Sequence, residues 1–114
     1  VFANMDPTCH AEVTAIRLAC QKLGSISLAG CTLYTSCYPC PMCLGACLWS
    51  HLDAVYYAAT SEQAAEHGFQ DEAFHKFLQD PETNGEAGFL NHLPTENTIA
   101  PFLKWSAKED RMSF

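Results

Sequence analysis

His10 and Glu12 flank Ala11, and 27 residues after Glu12 the chain reads Pro39-Cys40-Pro41-Met42-Cys43. These residue types hold a transition metal and move protons. Two cysteines three apart at a helix start turn their sulfurs the same way, because positions i and i+3 share a helix face. The positive end of that helix favours the thiolate form that zinc needs. His10, at the start of a second helix, supplies an imidazole as third ligand. Three protein ligands leave the fourth tetrahedral position of a zinc ion to water, which distinguishes a catalytic centre from a structural one. Water held there ionises near pH ~7, so hydrolysis needs no strong base. Glu12 need not coordinate and can take a proton from that water, pass it to a ring nitrogen and then to a departing amine.

Two other readings use the same residues. Cys37-x-x-Cys40-x-x-Cys43 could form a structural zinc knuckle, with Cys37 or Cys9 as fourth ligand. Cys37, however, belongs to the strand side of a strand-to-helix corner, and a structural site has no use for Glu12. A thiol redox protein would cycle Cys37, Cys40 or Cys43, which a bound metal prevents.

The elements that must position these groups follow from periodicity. Val13, Ile16, Cys20 and Leu23 recur at helical spacing from His10 to Leu23, and Gly24 is the stop. Cys31 to Cys37 is rich in β-branched and aromatic residues and predicts a strand. Pro41 suits the first position of a helix running to about Ser50. Asp53 to Ala59 predicts a second, buried strand. Ser61 is the expected cap of a short helix ending at Gly68. Asp71 to Gln79 predicts another helix, Asp80 to Gly88 a loop, and Thr98 to Ser106 a last helix. The order is α/β with parallel strands. Two strands do not make a stable sheet alone, so either the region from Phe89 supplies another or strands before Val1 are absent; the second is the expectation. Val1 to Thr8 reads as a loop.

Composition sets outer limits. The chain has 114 residues, 48% hydrophobic and 17% charged, which fits one globular domain, 1–114. No apolar run approaches the ~20 residues of a membrane span, and no signal-peptide pattern opens the sequence. Thirteen acidic residues stand against six basic ones, a net charge of −7. Nucleic-acid binding relies on Lys and Arg at phosphates, so the balance points to a small uncharged substrate. Seven cysteines, none beyond Cys47, make a poor disulfide framework and imply a reducing compartment, by default the cytoplasm.

The order His-x-Glu … Pro-Cys-x-x-Cys is the established signature of zinc-dependent deaminases. DPTCHAEVTAIRLAC, LYTSCYPCPMCLGA, YYAATSEQAAEHGFQDEAF and the tail PFLKWSAKEDRMSF together resemble the bacterial guanine deaminases of the cytidine deaminase superfamily. The resemblance covers nearly the whole chain and is weakest between Lys76 and Ile99. It implies a three-layer α/β/α cytidine deaminase-like fold and one zinc ion per chain on His10, Cys40 and Cys43. It implies Glu12 as proton shuttle, Asp71 as the acid assisting the leaving amine, and a base bound beside Ala11, Tyr38, Pro39 and Phe114. It also implies a homodimer in which a C-terminal segment, 95–114, is swapped between subunits. The implied reaction is guanine plus water giving xanthine plus ammonia, with cytosine, a nucleoside or adenosine in transfer RNA as rival substrates. A non-catalytic zinc-stabilised interaction module is the rival from another class.

The sequence departs from the family in three places. Tyr38 stands where Glu is usual before Pro-Cys, and Phe114 where a terminal Tyr is usual. A helix, two strands and a substrate-binding Asn that precede the DPT segment in the family have no counterpart, and Asn4 does not take that position. The resemblance therefore implies an N-terminally incomplete, poorly active chain whose sheet lacks its first two strands. Cys9, Cys20, Cys31 and Cys47 read as small apolar groups. Trp49 and Trp105 are expected in the core or a dimer contact. His51, His67, His75 and His92 are expected as surface or satisfied core residues. Asp71 also suits an ordinary helix cap.

Overall fold

The computed structural model describes residues 1–69, 71–81 and 89–112. After one 3₁₀ turn at Phe2–Asn4, helix α1 spans Ala11–Leu23. His10 opens it with extended backbone, and Gly24 closes it at φ +63°, its N–H donating to the Cys20 and Gln21 carbonyls. Glycine takes that left-handed conformation without a Cβ penalty, so the helix stops where the sequence places its stop.

Strand β1 is Thr32–Cys37, helix α2 Pro41–Trp49 and strand β2 Ala54–Ala59. Pro41 occupies the first turn of α2, where its missing N–H costs nothing. The strands pair in parallel, from Thr32 opposite Ala54 to Cys37 opposite Ala59, with α2 as the crossover that parallel pairing requires. One further bond, from the Tyr38 N–H to the Ala59 carbonyl at 2.8 Å, carries the ladder to the corner before Cys40. From Phe89 onward no strand occurs among the described residues.

Helices α3 (Ser61–Glu66), α4 (Glu72–Gln79) and α5 (Ala100–Ser106) follow. The cap of α3 is Thr60, not the expected Ser61. Its hydroxyl accepts from the Gln63 N–H at 3.3 Å while its own N–H donates to Gln63 Oε1 at 3.0 Å, a reciprocal capping box. Asp71 precedes α4 but makes no side-chain cap bond, so the capping role expected of it is absent. Most of the expected 80–88 loop, residues 82–88, lies outside the described residues.

The core is small: Val13, Leu28, Cys43 and Cys47, with Ser50 the buried polar residue. Leu28 N–H donates to the Ser50 carbonyl at 2.7 Å, tying the approach to β1 onto the end of α2. Strand β2 is not the buried strand expected from its composition. Tyr56 and Tyr57 are 58% and 48% exposed. Because side chains alternate across a strand, Tyr34 and Tyr56, which are register partners, share one open sheet face and stack with centroids 5.3 Å apart. Leu33, Thr35 and Cys37 take the opposite, half-buried face. Trp49 and Trp105 are exposed too, so neither belongs to the core.

The C-terminal segment touches this body at its start, where Phe89 meets Phe77 with ring centroids 5.5 Å apart, and is otherwise largely uncovered. Phe89, Leu90, Leu93, Ile99, Phe102 and Leu103 are all more than half exposed. The radius of gyration is 17.6 Å, against about 13 Å for a compact chain of this length. No helix among the described residues is long and apolar enough to cross a membrane. Leu28, 2% exposed, is the residue on which the body's packing most depends. Leu28→Ala is expected to lower unfolding free energy by about 2–5 kcal/mol, measured as a reduced urea midpoint with an unchanged slope.

Candidate active site

Two helix starts meet at the C-terminal ends of the parallel strands, where α/β sheets bind their ligands. His10 is the N-cap residue of α1 and Cys40 the N-cap residue of α2; both have extended backbone that aims the side chain out of the helix start. Cys43, one turn into α2, is fully buried. Cys40 Sγ lies 3.6 Å and Cys43 Sγ 3.5 Å from His10 Nδ1, and the three donor atoms fall within 4.8 Å of one another.

These separations can be tested against zinc. Bonds of about 2.3 Å to sulfur and about 2.0 Å to nitrogen, at tetrahedral angles, put sulfur and nitrogen about 3.5 Å apart. Both observed sulfur–nitrogen distances agree, so the donor set fits the ion in type and in spacing. Among the described residues the cluster includes neither Cys9 nor Cys37. Cys9 Sγ is instead 3.1 Å from Asn4 Nδ2 and 3.5 Å from Thr14 Oγ1. The four-ligand knuckle that the sequence left open therefore has no fourth side chain in place.

Charge in the cluster is finely opposed. Burial, then the neighbouring Cys40 and the Glu12 carboxylate, push the Cys43 thiol well above its ordinary value. A divalent cation is the charge that reverses them, since a coordinating thiol deprotonates outright.

Glu12, in the first turn of α1, stands beside the cluster without belonging to it. Cys43 Sγ donates to Glu12 Oε2 at 3.5 Å, and Thr35 Oγ1 donates to Glu12 Oε1 at 3.1 Å. The two carboxylate oxygens thus face different surroundings, one the metal-type donors and the other strand β1.

His10, Glu12 and Cys40 line a cavity of about 910 Å³, together with Tyr38 and Asp71. Ring edges support this wall: Tyr38 meets Tyr57 at 5.0 Å and His75 at 5.5 Å. His75 Nε2 lies 3.7 Å from an Asp71 carboxylate oxygen. The Tyr38 side chain therefore takes an aromatic niche in place of the hydrogen bonds a Glu would make. Ala11, between two site residues, is exposed at the first position of α1, and Pro39 is buried; neither lines the cavity. Successive helix residues point about 100° apart, so His10 and Glu12 can reach the cavity while Ala11 does not. Phe114 lies outside the described residues.

Sequence reasoning missed Thr35, Gln63, His67, Phe69 and Phe74. Thr35 was findable, since strand alternation puts it on the same face as Cys37. Gln63, His67 and Phe69 follow from the rule that the segment after a parallel strand roofs the site, and all three line the cavity. His67 is exposed, as expected of a surface residue, and also borders the cavity. Phe74 is placed by α4 alone.

Comparison with known proteins agrees with this geometry. The model of the cytidine and deoxycytidylate deaminase zinc-binding region matches residues 1–59. The chain is 49% identical over 105 residues to guanine deaminase of Bacillus subtilis (strain 168), an alignment spanning 92% of this chain and 67% of that protein. A tRNA-specific adenosine deaminase of Aquifex aeolicus is 41% identical over 58 residues, 51% of this chain and 38% of its own length. A tRNA(Ile)-lysidine synthase of Deinococcus deserti is 45% identical over 62 residues, 54% of this chain and only 12% of its own length. The X-ray structure of the Bacillus subtilis guanine deaminase superposes with a TM-score of 0.90 at 42% identity, covering 98% of this chain and 71% of that one. The shared fold is mixed α/β; in this chain the His/Cys/Cys triangle stands at the edge of the small parallel sheet. This protein belongs to the cytidine and deoxycytidylate deaminase zinc-binding family, within its bacterial guanine deaminase group.

Proposed function

We propose that the protein deaminates guanine hydrolytically, to xanthine and ammonia. The observation that carries this reading is the His10, Cys40 and Cys43 triangle at a cavity wall, with an uncoordinated carboxylate beside it. These three residues would hold one zinc ion per chain. When bound, zinc supplies a water molecule that gives up its proton near neutral pH, and charge that favours attack on an electron-poor ring carbon.

The chain's own residues do the rest. Glu12 receives one proton of the attacking water and delivers it to the ring nitrogen next to the amine-bearing carbon; it then takes the second from the new hydroxyl and gives it to the departing amine, so that the carbonyl forms as ammonia leaves. One carboxyl group suffices for these transfers because they are sequential. Asp71 also lines the cavity, with the His75 imidazole 3.7 Å from its carboxylate, and would assist the leaving ammonia. Tyr38 and Phe69 give the cavity planar apolar surface suited to a flat base. Ala11 and Pro39, which adjoin the ligands in sequence without lining the cavity, act by holding His10 and Cys40 in place. A net charge of −7 supports a free base over a nucleic acid.

The exposed apolar segment supports a homodimer in which residues 95–114 cross to the neighbouring subunit. There they would bury Phe102, Leu103 and Trp105, which their own chain leaves open. The cytoplasm suits seven free cysteines, two of them ligands.

Purified protein is expected to carry one zinc per chain by elemental analysis, and Cys43→Ala to lose it. Glu12→Gln is expected to keep the zinc and lose about 10²- to 10⁴-fold in kcat, read as ammonia release from guanine. Release from adenosine in transfer RNA with guanine inert would overturn the substrate assignment. Replacing both Phe102 and Leu103 by Asp is expected to convert the dimer to monomer in sedimentation velocity; a monomeric parent protein would sink the swap.

A further inference from the structure

Thr35 plays no part in the mechanism above, yet its hydroxyl makes the strand's one direct contact with the proton-carrying carboxylate. Its Oγ1 is 3.1 Å from Glu12 Oε1 and 3.2 Å from the Cys37 carbonyl oxygen. Residue 35 sits mid-strand, paired with Tyr57 of β2, so the hydroxyl is anchored to the most regular backbone near the site. Glu12, in contrast, stands on a side chain with three rotatable bonds at the first turn of a helix.

We propose that Thr35 is a positioning residue that decides which oxygen of Glu12 carries the proton. The inference rests on the deaminase reading above and adds a residue to it. In the absence of a cation, Glu12 has two donors: Thr35 at Oε1 and the Cys43 thiol at Oε2. Ligation removes the second, because a cysteine bound to zinc is a thiolate and has no proton to give. Thr35 is then the remaining anchor among the observed contacts. By occupying a lone pair of Oε1 it leaves Oε2, on the side of Cys43, as the basic oxygen open to the attacking water.

The hydroxyl serves both states of the carboxyl group. While Glu12 is ionised, Oε1 accepts from Thr35 as a carboxylate oxygen. Once Oε2 has taken the water's proton, Oε1 is the carbonyl oxygen of a neutral acid and still accepts. No hydrogen bond must break as the proton arrives and leaves. The Cys37 carbonyl, at 3.2 Å, is a second acceptor for the same single proton, the longer of the two contacts. Placement of a reacting group to within an ångström is worth up to about 100-fold in rate, which sets the size of the expected effect.

The test compares Thr35→Val, which keeps shape and loses the hydroxyl, with Thr35→Ser, which keeps the hydroxyl. Thr35→Val is expected to lower kcat about 10- to 100-fold with KM within about threefold, since substrate binding does not use this contact. Zinc content should stay at the parent's level, and a crystal structure of the zinc-loaded variant should show the Glu12 carboxylate turned from its parent orientation. Thr35→Ser is expected to recover most of the turnover. An unchanged kcat in Thr35→Val, or an unmoved carboxylate, overturns the proposal, as does a loss confined to zinc content. If Thr35→Val fails to fold, Thr35→Ser and Thr35→Ala decide instead: equal turnover in the two overturns it, and a deficit in Ala alone supports it. Glu12→Gln run alongside separates the two levels. Full turnover there removes the deaminase reading itself, whereas a dead Glu12→Gln beside a normal Thr35→Val removes only the role of Thr35.

Discussion

Two thiols and an imidazole, converging from two helix starts to within 3.6 Å, form the constraint that organises the molecule. Burial, the neighbouring Cys40 and the Glu12 carboxylate all oppose ionising Cys43. A cation is what makes the cluster electrostatically sound. The fold supplies the rigidity this demands at low cost in residues. α1 ends at Gly24, α2 begins at Pro41, and the parallel pairing of β1 with β2 fixes the distance between the helix starts.

Much of this was legible in the sequence, for reasons that can be named. Gly24 and Pro41 act through their own backbone chemistry, so their roles hold whatever surrounds them. The ligand trio and Glu12 could be read because two of them share a helix turn and the others share a helix start. Local geometry did most of the work. What depended on tertiary context was harder. The composition of Ala54–Ala59 gave no sign that Tyr56 and Tyr57 would stay open, because openness depends on what covers the sheet. Thr60 was passed over in favour of Ser61, although only Thr60 has a Gln three residues on to complete the reciprocal pair. Asp71 shows the converse: a plausible cap by type, it makes no such bond, and the cavity claims it instead.

The described chain divides into a body built around Leu28, Cys43 and Cys47 and a C-terminal stretch with little burial of its own. The site's ligands all come from the body, within residues 1–59 that match the family model. Asp71 and Phe74 come from beyond that region, on the connection to the outlying stretch. The ligands thus come from residues 1–59 alone, whereas the cavity they border is completed by residues from beyond that region.

Gln63 couples local order to recognition. Its Oε1 is already engaged by the Thr60 N–H at 3.0 Å, and the same side chain borders the cavity. One lone pair of that oxygen is committed, while the NH₂ end keeps both its protons to offer. That stretch of wall therefore meets a carbonyl group with two donors and an amino group with a half-occupied acceptor. The polarity with which the protein meets a heterocycle is thus partly decided by how a two-turn helix begins.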